Sequence, residues 1–105
     1  MKQITANEFT SEVLEAQTPV LVDFFTEQCP PCRRIAPVIE EIEAASGAAL
    51  KCVKIDAGAE LQLAAAFRIT AVPTFLLFRN GTQLAQFTGE RSRREIQRWI
   101  EEALR

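Results

Sequence analysis

The sequence predicts an α/β protein with a mixed central sheet of four or five strands and helices on both faces, in the order β-α-β-α-β-α-β-β-α. Three observations carry this. Short apolar stretches of strand character alternate with stretches of helical spacing. The run Val20-Leu21-Val22-Asp23-Phe24-Phe25 is apolar on both sides except at Asp23, as in a strand covered on both faces. Asn80-Gly81, set between two strand-like runs, is a strong hairpin signal and puts an antiparallel pair late in the chain.

Each element has its own signal. Residues 2–5 suit a short edge strand. Phe9, Val13, Leu14 and Ala16 have helical spacing, with Thr5 or Asn7 as N-cap, and Thr18-Pro19 ends that helix because the residue before proline leaves the α region. Val20 to Phe25 is the buried strand. Ile35, Val38, Ile39 and Ile42 then recur at i, i+3, i+4 and i+7, which predicts an amphipathic helix. Pro30 and Pro31 open it, where missing N–H groups cost little; Pro37 lies inside it and is expected to kink it; Gly47 closes it. Leu50 to Asp56 reads as a strand and Ala59 to Phe67 as a short helix. Ile69 to Pro73 is an irregular connection. Thr74 to Arg79 and Thr82 to Thr88 form the hairpin, with Gly89 after it. Ser92 and Glu95 match a capping box, and Ile96, Trp99, Ile100, Ala103 and Leu104 line the apolar face of a last helix, with Trp99 expected in the core.

At 105 residues the expectation is one domain, residues 1–105, long enough to bury a core. A 48% apolar content with seven Phe argues against disorder. A net charge of −2 argues against a nucleic-acid partner, and the arginine clusters at Arg33-Arg34 and at Arg91, Arg93, Arg94 and Arg98 suit solvated helix faces. Met1 to Thr5 lacks the apolar core of a signal peptide, and no apolar run approaches membrane-spanning length. The expectation is a cytoplasmic monomer with no membrane partner.

The chemistry centres on Cys29-Pro30-Pro31-Cys32, at the junction between the buried strand and the amphipathic helix. Two cysteines at this spacing can form a redox disulfide, a structural disulfide or half a metal site. The redox use is favoured in a chain without secretory signals. Three Cys and no His leave a tetrahedral metal site incomplete, and no His also means no imidazole base. Asp23, desolvated in its apolar strand, is expected to titrate above the usual carboxylate range. Cys52 reads as a small core residue, and Lys54, two residues along the same strand, shares its face and reads as a solvated strand-end lysine.

The chain resembles the thioredoxin family over essentially its full length. The residues that carry the likeness are Val22-Asp23-Phe24-Phe25, Cys29-Pro30-Pro31-Cys32, Pro37, Ile55-Asp56, Val72-Pro73-Thr74, Phe78-Arg79-Asn80-Gly81 and Gly89. The resemblance implies a thioredoxin fold and dithiol–disulfide exchange on protein substrates. It implies Cys29 as the attacking thiol, Cys32 as the resolving thiol and Asp23 as the buried carboxylate behind Cys32. It also implies a cis bond before Pro73 and a substrate-binding rim of Gln28, Pro30, Pro31, Val72, Pro73, Thr74 and Gly89. The redox-active disulfide would serve without a further cofactor, and the electron donor would be a thioredoxin reductase fed by NADPH.

Four positions depart from the family pattern. Gln28 stands where the family usually has Trp before the first Cys. Phe25 also replaces a usual Trp. Pro30 replaces the Gly of a usual Gly-Pro. Cys52 stands where the family often has Lys, with Lys54 two residues further on. These departures bear on partner recognition, on the redox potential and on the tuning of Asp23. They keep two alternatives in view: an oxidant or isomerase, and a redox-inactive binding or chaperone module.

Overall fold

A computed structural model describes residues 1–105. Five strands form one sheet in the order β1-β3-β2-β4-β5: β1 Lys2–Gln3, β2 Val20–Phe25, β3 Lys51–Asp56, β4 Thr74–Arg79 and β5 Thr82–Thr88. β1 and β2 run parallel to β3, while β4 runs antiparallel to both β2 and β5. Three α-helices complete the fold: α1 Pro30–Ser46, α2 Leu61–Ala66 and α3 Arg93–Ala103.

The apolar run of β2 is buried because helices cover both faces. Ile35, Ile39 and Ile42 of α1 and Ile96 and Ile100 of α3 pack with Leu21, Cys52, Phe75, Leu77 and Phe87 on one side. On the other, Ala64 of α2 joins Phe9, Val13, Val20, Val22, Phe24, Val53, Ile55, Leu76 and Phe78. The alternation along β2 and β3 assigns each side chain to a face. Asp23 therefore lies on the α1 face with Leu21, and Lys54 on the same face with Cys52.

The segment before β2 differs from its sequence expectation. It is not an α-helix: a 3₁₀ turn at Ala6–Glu8 is followed by a π-helical turn at Thr10–Leu14. The Glu15 N–H donates to the Thr10 carbonyl at 2.9 Å, five residues back. A helix of this length has little intrinsic stability, so packing decides its winding. Phe9 and Val13 must both reach the core before Pro19 ends the segment, and the wider turn allows it. Thr5 still marks the start, with its N–H donating to Glu8 Oε1 at 3.0 Å.

Smaller differences occur elsewhere. β3 begins at Lys51 rather than Leu50, and α2 is shorter than the 59–67 stretch. Trp99 is half-buried at the rim of the core, edge-on to Phe87 with ring centroids 4.7 Å apart. α1 runs through Pro37, which is exposed, so the missing N–H lies on the solvent side. The α3 capping box forms as expected: Glu95 N–H donates to Ser92 Oγ at 3.1 Å and Ser92 N–H to Glu95 Oε1 at 3.0 Å.

Candidate active site

The C-terminal ends of β2 and β3, the N-terminal end of β4 and the C-terminal end of β5 meet at one end of the sheet. The order reverses here between β3 and β4 around β2, the position where open α/β sheets place their sites. Four residues after β2, Cys29 caps α1 and forms a disulfide with Cys32, with Cα atoms 5.2 Å apart. Both cysteines are buried, at 5% and 4% exposure, and exchange chemistry requires a partner to reach the sulfur at the surface.

Sequence explains the local geometry. Cys29 has extended backbone (φ −131°, ψ 96°) and its Sγ accepts a hydrogen bond from the Cys32 N–H at 3.1 Å. With Pro30 and Pro31 as the first two helical residues, Cys32 supplies the first free amide of the helix, and that amide points at the Cys29 sulfur. A thiolate at this position would sit at the positive end of the α1 dipole. Pro30 and Gln28 are exposed and Pro31 is half-buried.

The Val72–Pro73 peptide is cis. Pro73 is buried, and its carbonyl accepts from the Gly89 N–H at 2.8 Å. Thr74 donates from its hydroxyl to the Ala71 carbonyl at 2.6 Å and lies 2.9 Å from the Thr88 hydroxyl. Pro73 and Thr74 are thus tied to Gly89 and Thr88, distant in sequence, and Thr74 stands opposite Phe24 in the β2–β4 pair.

Asp23 is 2% exposed and its Oδ1 has no hydrogen-bond partner. Burial pushes its carboxyl up to about 7, and the charge of Lys54 offsets part of that rise. Asp23 and Cys32 line the same cavity of about 120 Å³, together with Phe25, Thr26, Glu27, Arg33, Ala36 and Lys54. Arg33, read from sequence as a solvated residue beside the motif, and Glu27, which carried no sequence reading, also line this cavity, and the Arg33 Nη1 donates to the Glu27 carbonyl at 2.9 Å. Arg33 follows Cys32 directly and is exposed, as a solvated residue flanking the Cys motif should be. A second cleft, between the loop before Cys29 and the loop after β3, is lined by Thr26, Glu27, Gln28, Asp56, Gly58 and Ala59. On the opposite side Arg34 pairs with Glu90, its Nη2 3.0 Å from Oε1, joining α1 to the segment after Gly89.

Cys52 is buried at 1% exposure, as expected of a core residue, and burial pushes its thiol up to about 12. No group of three or more His, Cys, Asp or Glu side chains is arranged to hold a metal ion. No helix is long and apolar enough to cross a membrane.

A disulfide between cysteines three residues apart, capping a helix at the carboxyl end of a buried strand, belongs to the thiol–disulfide oxidoreductases. The family model described as Thioredoxin matches residues 1–102. The chain is 36% identical over 103 residues to a "Thioredoxin" of Mycolicibacterium smegmatis, covering 96% of this chain and 92% of the relative. It is 37% identical over 98 residues to "Thioredoxin C-2" of Corynebacterium nephridii, covering 93% and 91%. With "Thioredoxin 1" of Nostoc it shares 33% over 102 residues, 97% and 95% of the two chains. The chain belongs to the thioredoxin family, and its activity is thiol–disulfide oxidoreduction of the protein-disulfide reductase type.

Proposed function

We propose that this chain, acting as a single domain over residues 1–105, reduces disulfides in other proteins through Cys29 and Cys32. The observation that carries the reading is the pairing of a helix-capped Cys29 sulfur with a Cys32 that shares a cavity with Asp23. The Cys29 thiolate attacks one sulfur of the substrate disulfide. That S–S bond breaks, a Cys29–substrate disulfide forms, and the departing thiolate takes a proton from water. The Cys32 thiol gives its proton to Asp23, directly or through water, and attacks the Cys29 sulfur; the Cys29–substrate S–S bond breaks and the second substrate thiolate takes a proton from water. The substrate leaves as a dithiol, and its two gained electrons are those lost in forming Cys29–Cys32.

In this reading Gln28, Pro30, Pro31, Val72, Pro73, Thr74 and Gly89 form the rim that receives the substrate. The Cys29–Cys32 pair is the redox group, and no other cofactor or metal takes part. A thioredoxin reductase drawing on NADPH restores the dithiol, and the protein works as a cytoplasmic monomer. Family membership and the absence of a membrane-crossing helix support these assignments.

Turnover of a protein disulfide with dithiothreitol or a reductase as donor tests the reading. Cys29→Ser is expected to abolish turnover, and Cys32→Ser to trap a mixed disulfide visible by mass; turnover retained in Cys29→Ser would overturn it.

A second reading has its own observation. Because Pro30 and Pro31 carry no N–H, the thiolate has one first-turn donor fewer than a Gly-Pro loop offers. The potential is therefore expected to differ from that of a Gly-Pro thioredoxin. A value near the −270 mV of thioredoxin itself, the reference for the family, marks a reductant; roughly −120 to −180 mV marks an oxidant or isomerase.

A further inference from the structure

The opening turns of α1 carry two arginines that the helix itself does not need. Arg33 and Arg34 follow Cys32, and a helix gains nothing from cations near its positive end. Each is engaged by an atom outside the helix. Arg33 holds the Glu27 carbonyl. Arg34 grips Glu90 with a two-pronged fork: its Nε lies 3.1 Å from Oε2 and 3.3 Å from Oε1, and its Nη2 lies 3.0 Å from Oε1. Such a fork fixes direction as well as distance. The other ion pair between α1 and α3, Arg93 with Glu41, is a single contact further from the cysteines.

Glu90 directly follows Gly89, and Gly89 has no packing to hold it. Its φ is +99°, and a side chain there would meet nothing within 4 Å. Its N–H donates to the Pro73 carbonyl at 2.8 Å. A continuous tie therefore runs from the helix that carries Cys32, through Arg34, Glu90 and Gly89, to Pro73. The Arg34 and Glu90 side chains are 60% and 41% exposed, so the pair adds little to global stability. What it fixes is local: where Gly89 and Pro73 stand relative to the Cys29 sulfur.

We propose that Arg34 is a positioning residue for substrate binding, whose fork to Glu90 holds the Gly89–Pro73 side of the rim in place beside Cys29 so that a protein disulfide meets a preformed site. This rests on the reading of Gly89 and Pro73 as residues that receive the substrate. With the fork open, only a fraction of molecules has the rim in the competent arrangement, and apparent affinity falls by that fraction. A disulfide too small to touch the rim is indifferent to it.

The test uses the full chain as Arg34→Met, Glu90→Gln and the double variant. Each is reduced beforehand and oxidised in a single turnover by excess insulin, a disulfide gaining the two electrons that the cysteine pair loses. Remaining thiols are alkylated and counted by mass. The half-saturating insulin concentration is expected to rise about threefold to fivefold in Arg34→Met, with the limiting rate unchanged. Glu90→Gln is expected to match it and the double variant to be no worse, because either change opens the same fork. Oxidation by bis(2-hydroxyethyl) disulfide is expected to keep its rate in all three. Effects that multiply in the double variant overturn the proposal. So does a half-saturation that Glu90→Gln leaves unmoved while Arg34→Met raises it, since Arg34 would then touch the substrate itself. A small disulfide slowed as much as insulin also overturns it, because the pair would be acting on the cysteines and not on the rim. Half-saturation unmoved in every variant overturns the role of Arg34 and leaves the exchange reaction standing. Insulin reduction that persists in Cys29→Ser overturns the exchange reaction, and this inference with it.

Discussion

Replacing Asp23 with asparagine removes the one buried group that titrates near neutrality while nearly preserving volume. The physical consequence is a change in how stability depends on pH. The Asp23 carboxyl rises from an ordinary 3.8 to about 7 in the folded chain. At or below pH 3.8 the group is protonated in both states and contributes nothing. Between 3.8 and 7 the unfolded chain ionises while the folded chain holds its proton, so the folded state loses about 1.4 kcal/mol per pH unit. The loss levels off above pH 7 at about 4 kcal/mol. The substituted amide carries no charge, so the stability difference between variant and parent should swing toward the variant by about 4 kcal/mol from pH 4 to pH 8. A constant offset lies beneath the swing, because the amide enters a site where Oδ1 has no partner. The chain has no His to titrate in this window, and Cys52, pushed up to about 12, lies above it. Glu12, Glu90 and Glu95, held low by Lys51, Arg34 and Ser92 respectively, are common to both proteins and cancel in the difference. Urea unfolding of the oxidised proteins at half-unit steps of pH measures it. A difference that changes by less than about 1 kcal/mol across pH 4–8 would refute the argument that burial governs Asp23.

Other predictions follow from the same structure. With the protein reduced and folded at neutral pH, iodoacetamide should label Cys29, whose sulfur sits at the N-terminus of α1, well before Cys52, which should stay unmodified until urea is added; labelling of Cys52 at a comparable rate would contradict its burial in the core. Gly81→Ala should destabilise by about 1–3 kcal/mol, since φ is +78° and a Cβ there would stand 3.1 Å from the Leu14 carbonyl oxygen; an unchanged melting temperature would count against the turn geometry. Ser92→Ala should cost about 1 kcal/mol by freeing the Glu95 N–H at the start of α3, and Ser92→Asp should recover most of it in a thermal melt.

Most of the fold was legible in the residues themselves, for local reasons. The continuous apolar run of β2, the 3.6-residue spacing of α1, the Asn80-Gly81 turn and the Ser92–Glu95 box each depend on neighbours a few positions away. The place of Cys29-Pro30-Pro31-Cys32 at the junction of β2 and α1 was legible too, because proline's missing N–H and the strand-to-helix junction are sequence properties. The segment between β1 and β2 was not: its winding was chosen by the need to bury Phe9 and Val13 against distant strands, which outweighed a helical spacing. Nor was the depth of Trp99, which depends on how α3 lies against Phe87. Sequence put Asp23, Cys52 and Lys54 in their strands, and alternation gave their faces. Only the β2–β3 register set Asp23 opposite Lys54, and only the closure of α1 over that face desolvated the carboxylate beside Cys32. Hydrogen bonding from Gly89 to Pro73, sixteen residues apart, joined the start of β4 to the end of β5 in the same way. Periodicity and sterics act along the chain, so a sequence displays them; desolvation and through-space charge depend on what the folded chain brings together, so tertiary structure alone decides them.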